Sequence, residues 1–280
     1  MAAPGSSARD WRAGESFAVT DGPLRLHPMI VGFEPIRESI SVQGGDDAVF
    51  LLEPVTAAAV VYRDGWVLLD TGFNVDVVRD PAERGRHFNY DSYTALLPPG
   101  DPLADQVAGL GLDWAELRGC AVSHVHVDHT GGLRHVPPGV PVVFQRAEYE
   151  FGAEISPAMG GAFAAIPEDY LRPALEIALI DGDTSLAPGL HALDTAGHTP
   201  GHQSFSIELS TRTIVLACDA ADLRRNIVDV VPCGSQMRAQ DAPAALAAVQ
   251  RLHDLDLVPG VEVWPGHDPD WQGWTERTME

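Results

Sequence analysis

The stretch "SHVHVDHTGG" places His124, His126, Asp128 and His129 within six consecutive positions. Imidazole and carboxylate are the donors that zinc and its first-row neighbours take. On an extended backbone alternate residues face the same way, so His124 and His126 can converge on one ion. Asp128 and His129 fall where the chain turns into a helix and can face a second ion beside the first. Three further donors lie downstream, each expected at the end of a strand: His198 in "DTAGHTPGHQS", Asp219 in "IVLACDAAD" and His267 in "VEVWPGHDPD". The set divides into His124, His126 and His198 for one ion and Asp128, His129 and His267 for the other, with Asp219 bridging. Two divalent ions, zinc the first expectation, held about 3.5–4 Å apart can carry a hydroxide between them, a nucleophile available at neutral pH. A polar surface turn is the plain alternative for any one of these residues; the whole set in this order reads as a ligand block.

The neighbours of the block divide by chemistry. His202, four residues beyond His198, is expected to support a ligand rather than be one, because metal-bound imidazoles need a hydrogen-bonded partner. Asp70, at the end of "VLLDTG", can orient a ligand or merely cap its strand. Strand alternation lets one of Cys218 and Asp219 face the ions; Asp219 is the donor and Cys218 an apolar filler.

These donors must be carried by a framework, and the chain has ample material for one. It has 280 residues, 45% of them apolar. Its formal charge of −22, from 18 basic and 40 acidic residues, argues against a nucleic-acid or anionic-membrane partner. Every basic residue is arginine, which excludes a lysine Schiff base and a P-loop lysine. Three cysteines without paired spacing point to a reducing compartment. The opening residues carry no apolar signal-like run and no apolar run approaches the length of a membrane span, so a cytoplasmic location is expected.

Residues 1–15, rich in Ala, Gly and Ser, read as a flexible tail ahead of a single domain over 16–280. Residues 57–72 predict a hairpin through an Asp-Gly turn at 64–65. A helix over 102–112, a buried strand over 119–124 and a short helix from 130 follow, then a strand and helix over 140–151. Residues 152–175 read as an irregular or helical insert. Strands are expected over 191–195, 202–209 and 212–219, a helix over 241–255, and a last strand over 260–264. Strands with helices spaced between them imply sheets covered by helices.

The motifs "SHVHVDHTGG", "VVFQRAEYEF", "GHTPGHQS", "LACDAAD" and "PGHD", in this order and spacing over residues 55–268, resemble those of the metallo-β-lactamase superfamily, and within it the N-acyl-homoserine lactonases. The resemblance implies an α+β fold, an αββα sandwich of two mixed sheets with helices outside and two metal ions at one edge. It implies hydrolysis of the lactone ring of bacterial quorum signals. A metal-bridging hydroxide would attack the carbonyl, and Asp128 would pass a proton to the leaving alkoxide. The partners implied are a small lactone and water, with a homodimer compatible with the family. In one place the chain departs: where the lactonases carry a substrate-contacting tyrosine three positions after the bridging aspartate, this chain has Asp222. A carboxylate cannot donate a hydrogen bond as a phenol does, and Tyr149 and Tyr170 are candidate replacements. The alternatives are a 4-pyridoxolactonase-like lactonase or a glyoxalase-II-like thioesterase on the same scaffold, and more distantly a di-iron redox protein or a non-catalytic metal binder.

Overall fold

The computed structural model describes residues 8–88, 94–155, 164–275 and 279. Among them, seven strands form the larger sheet: β1 (Arg9–Asp10), β2 (Arg25–Arg37), β3 (Phe50–Tyr62), β4 (Gly65–Leu69), β5 (Leu117–Ala121), β6 (Pro141–Gln145) and β7 (Glu176–Ile180). Their order is β1-β7-β6-β5-β4-β3-β2. The smaller sheet holds β8 (Thr184–Ala187), β9 (Leu190–Asp194), β10 (Gln203–Glu208), β11 (Thr213–Leu216) and β12 (Val261–Trp264), in the order β12-β11-β10-β9-β8. Both sheets are mixed. Strands β4 to β7 run parallel, as do β11 and β12, while the remaining neighbours except the β1–β7 pair are antiparallel.

The helices are α1 (Glu38–Ser41), α2 (Val75–Arg79), α3 (Pro81–His87), α4 (Pro102–Gly109), α5 (Val127–Thr130), α6 (Arg146–Glu154), α7 (Pro167–Tyr170), α8 (Arg224–Asp229) and α9 (Ala242–Asp256). Helix α4 starts where Asp101 accepts from the Ala104 amide, with Pro102 in its first turn, a position where the missing proline N–H leaves no bond unmade.

Alternation along the strands sorts the apolar side chains into three layers. In β4, Trp66 and Leu68 enter a core shared with Leu103 and Val107 of α4 and Tyr170 of α7. Val67 and Leu69 point the other way, into a core between the sheets with Phe205, Ile207, Leu216 and Trp264. Val215 and Val263 leave the far face of the smaller sheet to meet Ile227, Ala248 and Leu252 of α8 and α9. Strands buried on both faces explain why "GWVLL" reads as a continuous apolar run. The layers are helix, sheet, sheet, helix: the αββα sandwich.

Two elements differ from expectation. Residues 1–7 lie outside the described residues, but the loose tail expected over 1–15 does not extend to residues 9–15. β1 pairs with the open edge of β7, Arg9 opposite Ala178, and the Trp11 amide donates to the Leu179 carbonyl at 2.8 Å. The backbone groups of an uncovered edge strand are the physical reason. The hairpin closes on Arg63 and Asp64, since Gly65 already pairs with Tyr62, and β3 begins seven residues before the expected 57. Of the insert over 152–175, residues 156–163 lie outside the described residues; the end of α6 and α7 lie in the remainder, in keeping with a partly helical insert, and β7 begins just after it.

Phe205 is fully buried between the sheets. Phe205→Ala is expected to lose about 3–5 kcal/mol of unfolding free energy, read by urea denaturation. A loss under about 1 kcal/mol would show that the inter-sheet core does not depend on it.

Candidate metal centre

The donors gather where strands end. Asp70 follows β4 directly, with φ +54, a left-handed conformation uncommon for a residue with a side chain. Its amide donates to the Ala121 carbonyl at 3.0 Å. Its carboxylate accepts from the Ser123 amide at 2.7 Å and meets His129 Nδ1 at 2.9 Å. Thr71 adds two bonds to the His129 carbonyl, from its amide at 3.0 Å and its hydroxyl at 2.7 Å. The glycines of "HTGG" let this turn press on the 71–74 segment: a Cβ on Gly131 would stand 1.8 Å from the Asn74 nitrogen.

Two groups of donors result. In the first, His126 Nδ1 lies 2.9 Å from His124 Nε2 and 3.0 Å from His198 Nε2. Asp219 Oδ2 stands 3.6 and 3.5 Å from the Nε2 atoms of His124 and His198. In the second, Asp219 Oδ1 lies 3.1 Å from His129 Nε2 and 3.0 Å from His267 Nε2. Asp128 Oδ2 lies 3.0 and 3.8 Å from the same two nitrogens. Within each group the donor atoms lie within 4.8 Å of one another, and all seven residues are buried. Asp219 is the one residue common to both groups.

Hydrogen bonds outside the centre orient the rings. His129 Nδ1 faces Asp70, His198 Nδ1 faces the Ser235 carbonyl at 3.1 Å, and His267 Nδ1 faces the Pro54 carbonyl at 2.9 Å. These oxygens only accept, so each Nδ1 carries the hydrogen and each neutral ring turns the lone pair of Nε2 inward. For His129 and His267 that lone pair points at carboxylate oxygens, an arrangement that repels unless a cation or a proton lies between. His129 Nε2 is buried without an aligned hydrogen bond despite its two carboxylate neighbours. The donors therefore fit divalent metal: a ligand-rich, acceptor-rich interior that favours positive charge.

Protonation follows the same division. Burial holds the imidazoles of His124 and His198 below the ordinary histidine range and takes His126 down to about 3, keeping the neutral, ligating form. Burial opposes protonation of His129 and His267 too, but the carboxylates outweigh it and raise both well above the ordinary value. The same carboxylates would favour a divalent cation at this place, and binding of metal to these histidines requires their deprotonated form, so metal uptake should release protons.

Comparison with known proteins agrees with this geometry. A model of the metallo-beta-lactamase superfamily matches residues 52–278. N-acyl homoserine lactonase AttM of Rhizobium johnstonii is 31% identical over 239 residues, covering 82% of this chain and 88% of that protein. The chain belongs to the N-acyl homoserine lactonase family of the metallo-β-lactamase superfamily. Among solved structures, an N-acyl homoserine lactone hydrolase with the product N-hexanoyl-L-homoserine bound at its catalytic metal centre matches with a TM-score of 0.77 at 25% identity, over 89% of this chain and 95% of that one. AidC, a dizinc quorum-quenching lactonase, shares the fold with a TM-score of 0.63 at 16% identity, over 92% of both chains.

Against the lactonase family pattern, the remaining residues fall as follows. His202 joins neither donor group; its Nδ1 meets the Thr195 hydroxyl at 2.9 Å and its ring packs 5.2 Å from that of His124. Asp219 is delivered by a turn over residues 218–220 with Cys218 at φ +48, not by strand alternation, because β11 ends at Leu216. Asp222 is buried with Oδ1 unpartnered, and burial followed by the Asp219 charge pushes its carboxyl well up. The Tyr170 hydroxyl donates to the Gly152 carbonyl at 3.0 Å in the outer core, so it is already engaged there. Two supporting residues lie inside the quoted motifs without a role legible from them: Ser123, whose hydroxyl lies 2.9 Å from His124 Nδ1, and Glu148, fully buried behind the ligand segments.

Asp70→Ala removes the acceptor for both Ser123 and His129. It should weaken binding of divalent metal about 10–100-fold in competition with a chromophoric chelator. Unchanged affinity would reduce Asp70 to a strand cap.

Proposed function

We propose that this chain is a dinuclear-metal hydrolase that opens the lactone ring of N-acyl homoserine lactones. The observation that carries the reading is Asp219, one oxygen toward each histidine group, in a chain of the lactonase family. His124, His126 and His198 would hold one ion, Asp128, His129 and His267 the other, and Asp219 both. The ions, zinc by analogy with the dizinc lactonase, would supply Lewis-acid polarisation of the lactone carbonyl and acidify a water molecule.

The chain's own groups do the rest. Neutral imidazoles turned inward keep the centre ready without reorganisation. A carboxyl that serves as a metal ligand is held in its deprotonated form. Asp128 can therefore take a proton from the attacking water and return it to the ring oxygen as that bond breaks. Water is the second substrate and the acyl-homoserine the single product. The charge of −22 supports a small, uncharged-ring substrate over nucleic acid. Three free, buried cysteines support a reducing, cytoplasmic setting.

Asp219→Ala and His198→Ala should each reduce turnover by more than the roughly 10–100-fold expected of an outer hydrogen-bond partner, and lower metal content with the far-UV circular dichroism retained. Mass spectrometry of zinc-loaded protein with short- and long-chain acyl-homoserine lactones should show gain of one water, abolished by chelation. Full turnover in metal-stripped protein would remove the mechanism. Opening of a simple γ-lactone alone would keep the metal chemistry and displace the signal lactones as substrate.

A further inference from the structure

The motif "QRAEYE" supplies no donor to the metal centre, yet its side chains reach the backbone on both sides of it. Glu148, in the first turn of α6, is fully buried. Its Oε1 accepts from the amide of Val125, the residue between His124 and His126, at 2.9 Å. Its Oε2 accepts from the amide of Gly201, three residues beyond His198, at 2.9 Å. The approach is so close that a Cβ on Gly201 would stand 2.2 Å from the Glu148 nitrogen. A parallel link runs beside it: Gln145 Nε2 donates to Gln203 Oε1 at 3.2 Å, and Gln203 Nε2 donates to the Val122 carbonyl at 2.7 Å. The Gln203 amide also donates to the Ser123 carbonyl, at 3.0 Å. Together these bonds join three segments, residues 122–126, residues 201–203 and the β6–α6 junction. None of them touches Asp128, His129 or His267.

We propose that Glu148 is a positioning residue for the three-histidine half of the centre, fixing the segment that bears His124 and His126 against the turn that bears His198. This rests on the two-ion reading above. A carboxylate suits the place because two amides approach it from opposite sides and both need an acceptor. A glutamine there would set its own N–H₂ against one of them, and an unmatched buried amide is the penalty. The consequence is asymmetric. Loosening this link should disturb the ion held by His124, His126 and His198 and leave the other ion in place.

The test is a zinc titration of metal-free wild type and Glu148→Gln against a chromophoric chelator, with bound zinc counted by mass spectrometry. Wild type should bind two ions. Glu148→Gln should keep one at wild-type affinity and bind the other about 10–100-fold more weakly, with a matching fall in kcat. Leu252→Ala, a cavity in the outer core beneath α9, serves as the stability control and should lower the Tm while retaining both ions. If Glu148→Gln does not fold, Gln203→Met breaks the parallel link and should show the same selective loss, smaller in size. A Glu148→Gln protein that binds both ions as wild type does, and loses only Tm as the control does, overturns the proposal. Zinc-free wild type would overturn the two-ion reading and this inference together, whereas two ions held at wild-type affinity in both proteins overturns this inference alone.

Discussion

Asp219 places a carboxylate oxygen against four imidazole nitrogens, at 3.5 and 3.6 Å on one side and at 3.0 and 3.1 Å on the other, in a position almost closed to water. A buried carboxylate stays ionised only where positive charge or several donors meet it. The outer hydrogen bonds of His129, His198 and His267 remove the neutral rings as donors, because each has its hydrogen turned outward. For neutral rings, what remains is an anion facing lone pairs, an arrangement that protons or bound divalent cations would relieve. The rest of the structure serves to hold these groups together despite that repulsion.

No single sheet could supply the donors. Strands β4, β5 and β6 run parallel, so their C-terminal ends share one edge of the larger sheet. From those ends come Asp70, then the 124–129 block, then the β6–α6 junction with Glu148. In the smaller sheet β11 and β12 are parallel, and β9 is antiparallel to β10, which is antiparallel to β11. The C-terminal ends of β9, β11 and β12 therefore also share an edge, and they lead to His198, Asp219 and His267. Packing the sheets face to face through Phe205, Val67 and Leu69 sets the two edges side by side. Ligand sites at the carboxyl ends of strands are the general habit of parallel α/β sheets; here two such edges each contribute half. His267 also bonds back to Pro54 on β3, so the centre ties the sheets together as well as depending on them.

How far the sequence discloses this depends on where the information sits. The 124–129 block is legible because its donors are adjacent and follow an apolar strand. His198, Asp219 and His267 are legible because each follows a strand that reads clearly. β2 is not, since "RLHPMIVGFEPIR" holds two prolines and a glycine that argue against a strand. Its place at the sheet edge removes the objection: one side of β2 needs no ladder partner. β1 is two residues long and carries no periodicity to read. Glu148 escapes because its partners are the backbone amides of Val125 and Gly201, brought near only by the fold. Side-chain chemistry shows in a sequence; side chain to distant backbone does not.

Two strained residues show how firmly the arrangement is held. Asp70 and Cys218 each adopt a left-handed backbone just beyond β4 and β11, at φ +54 and +48. For residues with side chains such conformations cost roughly 1–3 kcal/mol and persist only where the surroundings dictate them. The surroundings here are the neighbouring parallel strands. Ala121, ending β5, accepts from the Asp70 amide, and Trp264, ending β12, accepts from the Ala217 amide. Behind Cys218, Gly266 comes so close that a Cβ would stand 2.5 Å from the Cys218 carbonyl. The left-handed step turns the chain out of the sheet within one residue. The strain is thus the local expression of the central constraint, a carboxylate forced to face two donor groups at once.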